Sequence, residues 1–226
     1  MLLGLDVGGT FTDAVIIDGH RVVATAKRRT TKDNLMNGIG EALDAVLEGY
    51  DTSNIEQVTL STTVVTNTIV EEKEQVVDLY VVTGPGRNVD DIFPVKPIYL
   101  QGYTDHRGIV VERTPADAVR GIANMVQTRS GTDLAAVSAK FGVRNPQEEL
   151  SITEELKNIY HAISNGSLLS GSLNFPRRTI SAYFNSAVTP VFTVFKKNVE
   201  DALSARNIVA PLHILKADGG SLPVEH

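Results

Sequence analysis

The residues with the clearest chemical potential stand near the amino terminus, in the run Asp6-Val7-Gly8-Gly9-Thr10-Phe11-Thr12-Asp13. A carboxylate follows the short apolar run Leu2 to Leu5, and a glycine pair leads at once into a second β-rich run, Phe11 to Ile17. Glycines lack a Cβ, so the amides of Gly8 and Gly9 can come close to an anion, and Thr10 and Thr12 can add hydroxyl donors. Asp6 would point into the same space, where it could hold Mg²⁺ through water. A hairpin of this kind would grip phosphate. It differs from the loops that precede a helix, and no Gly-x-x-x-x-Gly-Lys-Ser/Thr run occurs in the chain. The same residues also suit a plain tight hairpin with Asp6 as a turn carboxylate.

Other stretches carry polar groups with two readings each. Thr62, Thr63, Thr66 and Asn67 could cap and line the start of a helix. Arg144-Asn145-Pro146 is either a strand-to-helix turn capped by Asn145 or a place where Arg144 offers its planar fork to a carboxylate or phosphate. Asp218-Gly219-Gly220 is most economically a turn. The histidines are scattered, so no three-histidine metal site is expected, and His106 beside Asp105 is the one pair to watch.

Elements must position these groups. Leu2 to Leu5, Phe11 to Ile17 and Arg21 to Ala26 read as three strands, with Asp18-Gly19 turning between the second and third. From Asn34 to Gly49 the period changes: Leu35, Ile39, Leu43 and Val46 recur three or four apart, which predicts a helix, with Asp33 as its cap. Val58 to Leu60 is a fourth strand, Thr62 to Glu72 a short helix, and Val76 to Val82 a fifth strand. This order matches a ribonuclease H-like unit, the repeat of actin-like ATPases. Beyond Gly84-Pro85-Gly86 the chain becomes loop-rich, with strands at Ile98 to Leu100 and Ile109 to Glu112. Thr114-Pro115 opens a helix, Leu134 to Phe141 is a buried strand, and Pro146 opens a helix reaching Ile163. A long helix spans Arg178 to Arg206 with a kink at Pro190, and Leu212 to Leu215 is a last strand.

The expected fold is therefore α/β: a ribonuclease H-like mixed sheet flanked by helices over residues 1–83, a loop-rich α/β insertion over 84–165, and over 166–226 a long helix and the start of a following domain. The chain has 226 residues, a net charge of −6 and 42% hydrophobic residues, an ordinary globular composition. A sequence pI near 5.4 argues against nucleic acid as a partner, since phosphate backbones call for a basic face. No cysteine is present, which excludes disulfides and thiolate metal sites. The opening residues do not read as a signal peptide, and no apolar run approaches the roughly 18 residues of a membrane span, so a cytoplasmic protein away from membranes is expected.

Four blocks carry a family resemblance. Asp6 to Val15 resembles the opening of the hydantoinase A/oxoprolinase family. Ser61-Thr62-Thr63-Val64-Val65-Thr66-Asn67-Thr68-Ile69-Val70-Glu71 is similar to its second signature, with Ser61 where glycine is usual and Leu60 where histidine is usual. Phe141-Gly142-Val143-Arg144-Asn145-Pro146-Gln147-Glu148-Glu149 resembles an Arg-Asn-Pro-x-x-Glu segment, and Ala217-Asp218-Gly219-Gly220 a Ser-Asp-Gly-Gly block.

The resemblance implies an actin-like ATPase that opens a cyclic amide, such as a hydantoin or 5-oxoproline, through phosphorylation of the amide oxygen. It implies ATP and Mg²⁺ as cofactors, with Asp6 near the metal and Gly8, Gly9, Thr10 and Thr12 on the phosphates. Asp13 would position metal or water, while Thr63, Thr66 and Asn67 would stand on the substrate side. Arg144 would add a charged contact, and Asp218, Gly219 and Gly220 a second nucleotide contact. A hydantoinase B-type subunit or domain is the implied partner; self-association is left open. Relatives carry a second Gly-Gly-Thr hairpin that this sequence lacks, so a fragment or short member with weak or absent ATP binding is expected. A ketone carboxylase subunit and a non-catalytic nucleotide-binding or assembly module are the alternatives.

Overall fold

The computed structural model describes residues 1–30, 35–86 and 90–224. In chain order, the first elements are β1 (Leu2–Val7), β2 (Phe11–Asp18), β3 (Arg21–Arg29), α1 (Leu35–Leu47), β4 (Gln57–Thr62) and α2 (Val64–Val70). Next come β5 (Asp78–Val82), β6 (Ile98–Tyr99), β7 (Tyr103–Thr104), β8 (Val110–Glu112), α3 (Ala116–Ser130) and β9 (Leu134–Ala139). The chain continues through α4 (Gln147–Leu156), β10 (Ala162–Asn165), α5 (Gly166–Leu169), α6 (Phe175–Ser204), β11 (Leu212–Leu215) and β12 (Ser221–Pro223). These form two mixed α/β compact units, Met1–Glu72 with Val191–His226, and Lys73–Pro190. No helix among the described residues is long and apolar enough to cross a membrane.

The first unit is built on a six-stranded sheet in the order β12-β11-β4-β1-β2-β3. β1 and β2 are antiparallel, whereas β4 runs parallel to β1 and β11 parallel to β4. Side chains alternate along each strand, so Leu3, Leu5, Val7, Ala14, Ile16, Val58 and Leu60 enter the core. Gly4, Asp6, Asp13, Val15, Thr59 and Ser61 take the opposite face by the same alternation. The core face is covered by α1 through Ile39, Ala42, Leu43 and Val46, and by Phe195, Val199, Ala202 and Leu203 of α6. Helix α1 lies tight against the end of β3: a Cβ on Gly38 would stand 2.8 Å from the Arg29 carbonyl oxygen. Leu43→Ala, at a side chain with no exposed surface, is expected to lower the unfolding free energy by about 2–5 kcal/mol in urea titration.

The second unit holds a four-stranded sheet, β10-β9-β5-β6, parallel throughout. Every residue of β5 and β9 is buried. That explains a correction. The Val76–Val82 run, expected as a fifth strand of the first unit, lies in this second sheet, and β11 takes the place beside β4. A strand with no polar side must be covered on both faces, and β5 finds that cover between two apolar clusters of its own unit. The compact units accordingly part at residues 72/73 and 190/191, not at 83/84 and 165/166.

Two local expectations also change. The helix opened by Pro146 stops at Leu156, and Ala162–Asn165 pairs with Leu134–Val137 as a strand that periodicity did not reveal. Thr114 does not cap α3; its hydroxyl donates to the Gln101 carbonyl and its amide to Glu148. The proposed cap Asp33 lies outside the described residues.

Candidate functional site

The turn between β1 and β2 is closed by the Gly8 amide, which donates to the Phe11 carbonyl at 3.0 Å. Glycine is needed here because of close approach. A Cβ on Gly8 would meet the Phe11 carbonyl oxygen at 3.2 Å, and one on Gly9 would meet Asn67 Nδ2 at 3.2 Å. Thr30, which the sequence reading did not single out, braces the turn from behind. Its amide donates to the Thr10 carbonyl at 2.9 Å and its hydroxyl to the Gly8 carbonyl at 2.9 Å. Thr12 joins this brace: it is fully buried, with its hydroxyl 3.1 Å from that of Thr30. Its expected place among the phosphate donors is therefore corrected. Strand alternation turns Thr12 to the core side, opposite Asp13.

Helix α2 begins beside this turn. The Thr62 hydroxyl donates to the Val7 carbonyl at 2.9 Å and accepts from the Val64 amide at 3.1 Å, tying the helix start to the end of β1. Asn67 is half-buried against Gly9, and its Nδ2 donates to Thr63 Oγ1 at 3.2 Å. Thr66 is exposed one helical position earlier. Four expected residues, Gly8, Gly9, Thr63 and Asn67, are thus brought together by the β1–β2 turn and one turn of helix.

Asp6 lies on the open face of the sheet. Its neighbours across the strands are Ser61 on β4 and Asp13 on β2, and Asp13 in turn sits opposite Lys27 on β3. The Lys27 ammonium is 2.8 Å from both Asp13 oxygens, so Asp13 is already neutralised by a partner absent from the sequence reading. No sequence signal marked this pair: the Asp18–Arg21 closing pair alone would set Ala26 opposite Asp13, and a register shift between Ile16 and Ile17 brings Lys27 there instead. Asp6 is exposed and has no ion pair among the described residues. These side chains rim a trough of about 580 Å³ whose floor includes Gly4, Val15, Ile17 and Leu215. Leu60, where the resemblance would place a histidine, is fully buried in the core. Strand alternation gives that position no access to the trough.

Asp218, Gly219 and Gly220 form the turn between β11 and β12. Asp218 accepts from the Gly220 amide at 2.9 Å and from Lys216 Nζ at 3.0 Å. The turn's amide bond to its carboxylate, followed by Lys216, holds the Asp218 carboxyl below the usual carboxylate range. Since β1, β4 and β11 are parallel, this turn and the Gly8–Gly9 turn share one end of the sheet, and the strands that lead into them, β11 and β1, are two strand spacings apart, about 10 Å. Arg144 belongs to the second unit, where it is exposed after β9. Asp105 is occupied structurally: the amides of Ile109 and Arg107 and the Arg107 side chain bind its carboxylate and lower its pKa. No group of three or more His, Cys, Asp or Glu at metal-binding spacing occurs among the described residues.

The profile of the hydantoinase/oxoprolinase N-terminal region matches residues 2–160. The fold is similar to a solved nucleotide-free acetone carboxylase, with TM-score 0.78 and 17% identity, covering 100% of this chain and 37% of that one. It is also similar to the ATP-dependent caprolactamase from Pseudomonas jessenii, with TM-score 0.73 and 17% identity, covering 99% of this chain and 36% of that one. The chain thus spans little more than a third of either protein. No curated protein sequence matches it.

Proposed function

This chain belongs to the hydantoinase/oxoprolinase family, and from that premise we propose that it forms nucleotide-binding machinery of an enzyme coupling ATP hydrolysis to the opening of a cyclic amide. The observation that carries this reading is the tight two-glycine β1–β2 turn directly after an exposed Asp6 that has no ion pair among the described residues. The order β3-β2-β1-β4-β11, with the last three strands parallel, supports a ribonuclease H-like, actin-like unit.

The residues fit a Mg²⁺–triphosphate. The glycines let the turn close against Phe11 and Asn67 with its backbone uncovered by side chains of its own, and a single free carboxylate suits Mg²⁺, which keeps several of its waters. ATP, when bound, would supply the phosphoryl group that turns the amide oxygen into a leaving group. The chain's own work is positioning and charge stabilisation, as in other phosphoryl transfers. The Gly8 amide is held by the Phe11 carbonyl, so Gly8 would shape the turn while the amides of Gly9 and Thr10 would be the donors to phosphate oxygens, and Asp6 would hold Mg²⁺ through water. Thr63, Thr66 and Asn67 stand on the substrate side, with Asn67 fixing the turn. Asp13, held by Lys27, orients water less directly than a free carboxylate would. Asp218, Gly219 and Gly220 contribute from the same end of the sheet. A hydantoinase B-type subunit or domain completes the enzyme, which works in the cytoplasm.

Caprolactamase and acetone carboxylase represent the two chemistries to separate, ring amide against ketone. The test is ATP turnover by the protein assembled with its B-type partner, in the presence of hydantoin, N-methylhydantoin, 5-oxoproline or acetone. Several-fold stimulation by a cyclic amide is expected. Stimulation by the ketone alone would transfer the protein to the carboxylases, and none by any compound would favour an assembly module.

A further inference from the structure

In the second unit, the chain steps from β5 outward to β6, then returns across β5 to β9 and steps outward again to β10. Loops leaving the carboxyl ends of β5 and β9 therefore diverge, and ligands of open parallel sheets sit where the strand order reverses. The bordering loops are Thr83–Gly86 and Lys140–Asn145, joined at their base by the Lys140 amide donating to the Val82 carbonyl at 2.8 Å.

Lys140 and the glycines of the Thr83–Gly86 loop follow the carboxyl ends of the two strands that flank this reversal. Lys140 Nζ lies 3.9 Å from where a Cβ on Gly86 would stand and 5.6 Å from the Phe141 ring centroid. It makes no ion pair among the described residues. Gly84 and Gly86 have φ of +63° and +143°, conformations open to glycine, and their amides donate to no other described residue. An ammonium with no ion pair among the described residues, close to Gly86 on a glycine turn whose amides donate to no other described residue, is an arrangement that can take an anion.

The loops are also held rigidly. Phe141 has φ of +64°, a strained conformation for an aromatic residue, and its carbonyl accepts from the amides of Arg144 and Asn145. Fully buried Glu149 accepts from the Ala139 amide at 2.8 Å and from the Ser167 amide and hydroxyl at 2.8 and 2.6 Å. Fully buried Arg178 donates to the carbonyls of Ala139 at 2.9 Å and Ser172 at 2.7 Å. Burying charge is costly, and here it holds the loops at the carboxyl ends of β9 and β10, the preorganisation an ionic site requires.

We propose that the second unit binds a small carboxylate or phosphate anion between these loops, with Lys140 as counter-charge and the Gly84 and Gly86 amides as donors. This site is separate from the β1–β2 turn and does not rest on the nucleotide reading. The test titrates the ¹⁵N-labelled chain with inorganic phosphate and, separately, with acetate, following glycine amides by NMR. Saturable shifts at Gly84 and Gly86 are expected, at least about tenfold weaker in Lys140→Ala, largely restored in Lys140→Arg and unchanged in Asp6→Asn. The anion that binds more tightly identifies the source. Absence of saturable shifts with both anions at tens of millimolar, or shifts indifferent to Lys140→Ala in a chain with native amide dispersion, would overturn the proposal.

Discussion

In the complete enzyme, Asp6→Asn is expected to lower ATP turnover by about a thousandfold while leaving thermal stability within about 2 °C of the native protein. The two halves of this expectation have separate grounds. Asp6 is exposed and unpaired among the described residues, and the substitution keeps the side chain's shape, so no buried contact is lost. The asparagine amide has no charge with which to orient a metal's water beside the phosphates. Turnover and calorimetric midpoint should be measured on the same preparation. Unchanged turnover removes Asp6 from the mechanism, and a large fall in the midpoint would make its role structural. Lys27→Ala offers a useful contrast. It frees Asp13 without touching Asp6, so a much smaller loss of turnover is expected.

The second large effect concerns stability. Glu149→Ala should destabilise the protein by about 3–5 kcal/mol, lowering the thermal midpoint by roughly 10 °C. Its carboxylate accepts from three donors, the amides of Ala139 and Ser167 and the Ser167 hydroxyl. Truncation leaves those donors unsatisfied in the interior and removes the negative charge that favours the buried Arg178 cation, whose pKa burial otherwise pushes down. Leu150→Ala, on the exposed side of the same helix, is the control and should change stability little. A fall of under 1 kcal/mol for Glu149→Ala in urea titration would show that water or local rearrangement replaces its bonds.

The Arg-Asn-Pro-x-x-Glu stretch thus illustrates how motif and structure divide the explanation. As sequence, it pointed to Arg144 as the chemical residue and Asn145 as a cap. Asn145 does accept from the Gln147 amide at 3.1 Å, and its Nδ2 also donates to the Gly108 carbonyl at 2.9 Å. The carboxylates at the end of the motif turn out to be fixtures of the loops. Glu148 binds the Thr114 amide and Glu149 the ends of two strands, partners 34 and 18 residues distant that no local pattern could supply.

Local chemistry alone determined the β1–β2 hairpin, the apolar stripe of α1 and the glycine turn beside Asp6. Each of these depends on residues only a few positions apart, where strand alternation, helical spacing and the missing Cβ of glycine leave little choice. Tertiary structure decided which sheet received β5 and that β11, more than 140 residues after β4, would lie beside it. It also turned Thr12 inward to Thr30, paired Asp13 with Lys27 and made a strand of Ala162–Asn165. Those outcomes depend on which distant surfaces compete to cover an apolar face or satisfy a polar group, and that competition is settled only when the whole chain packs.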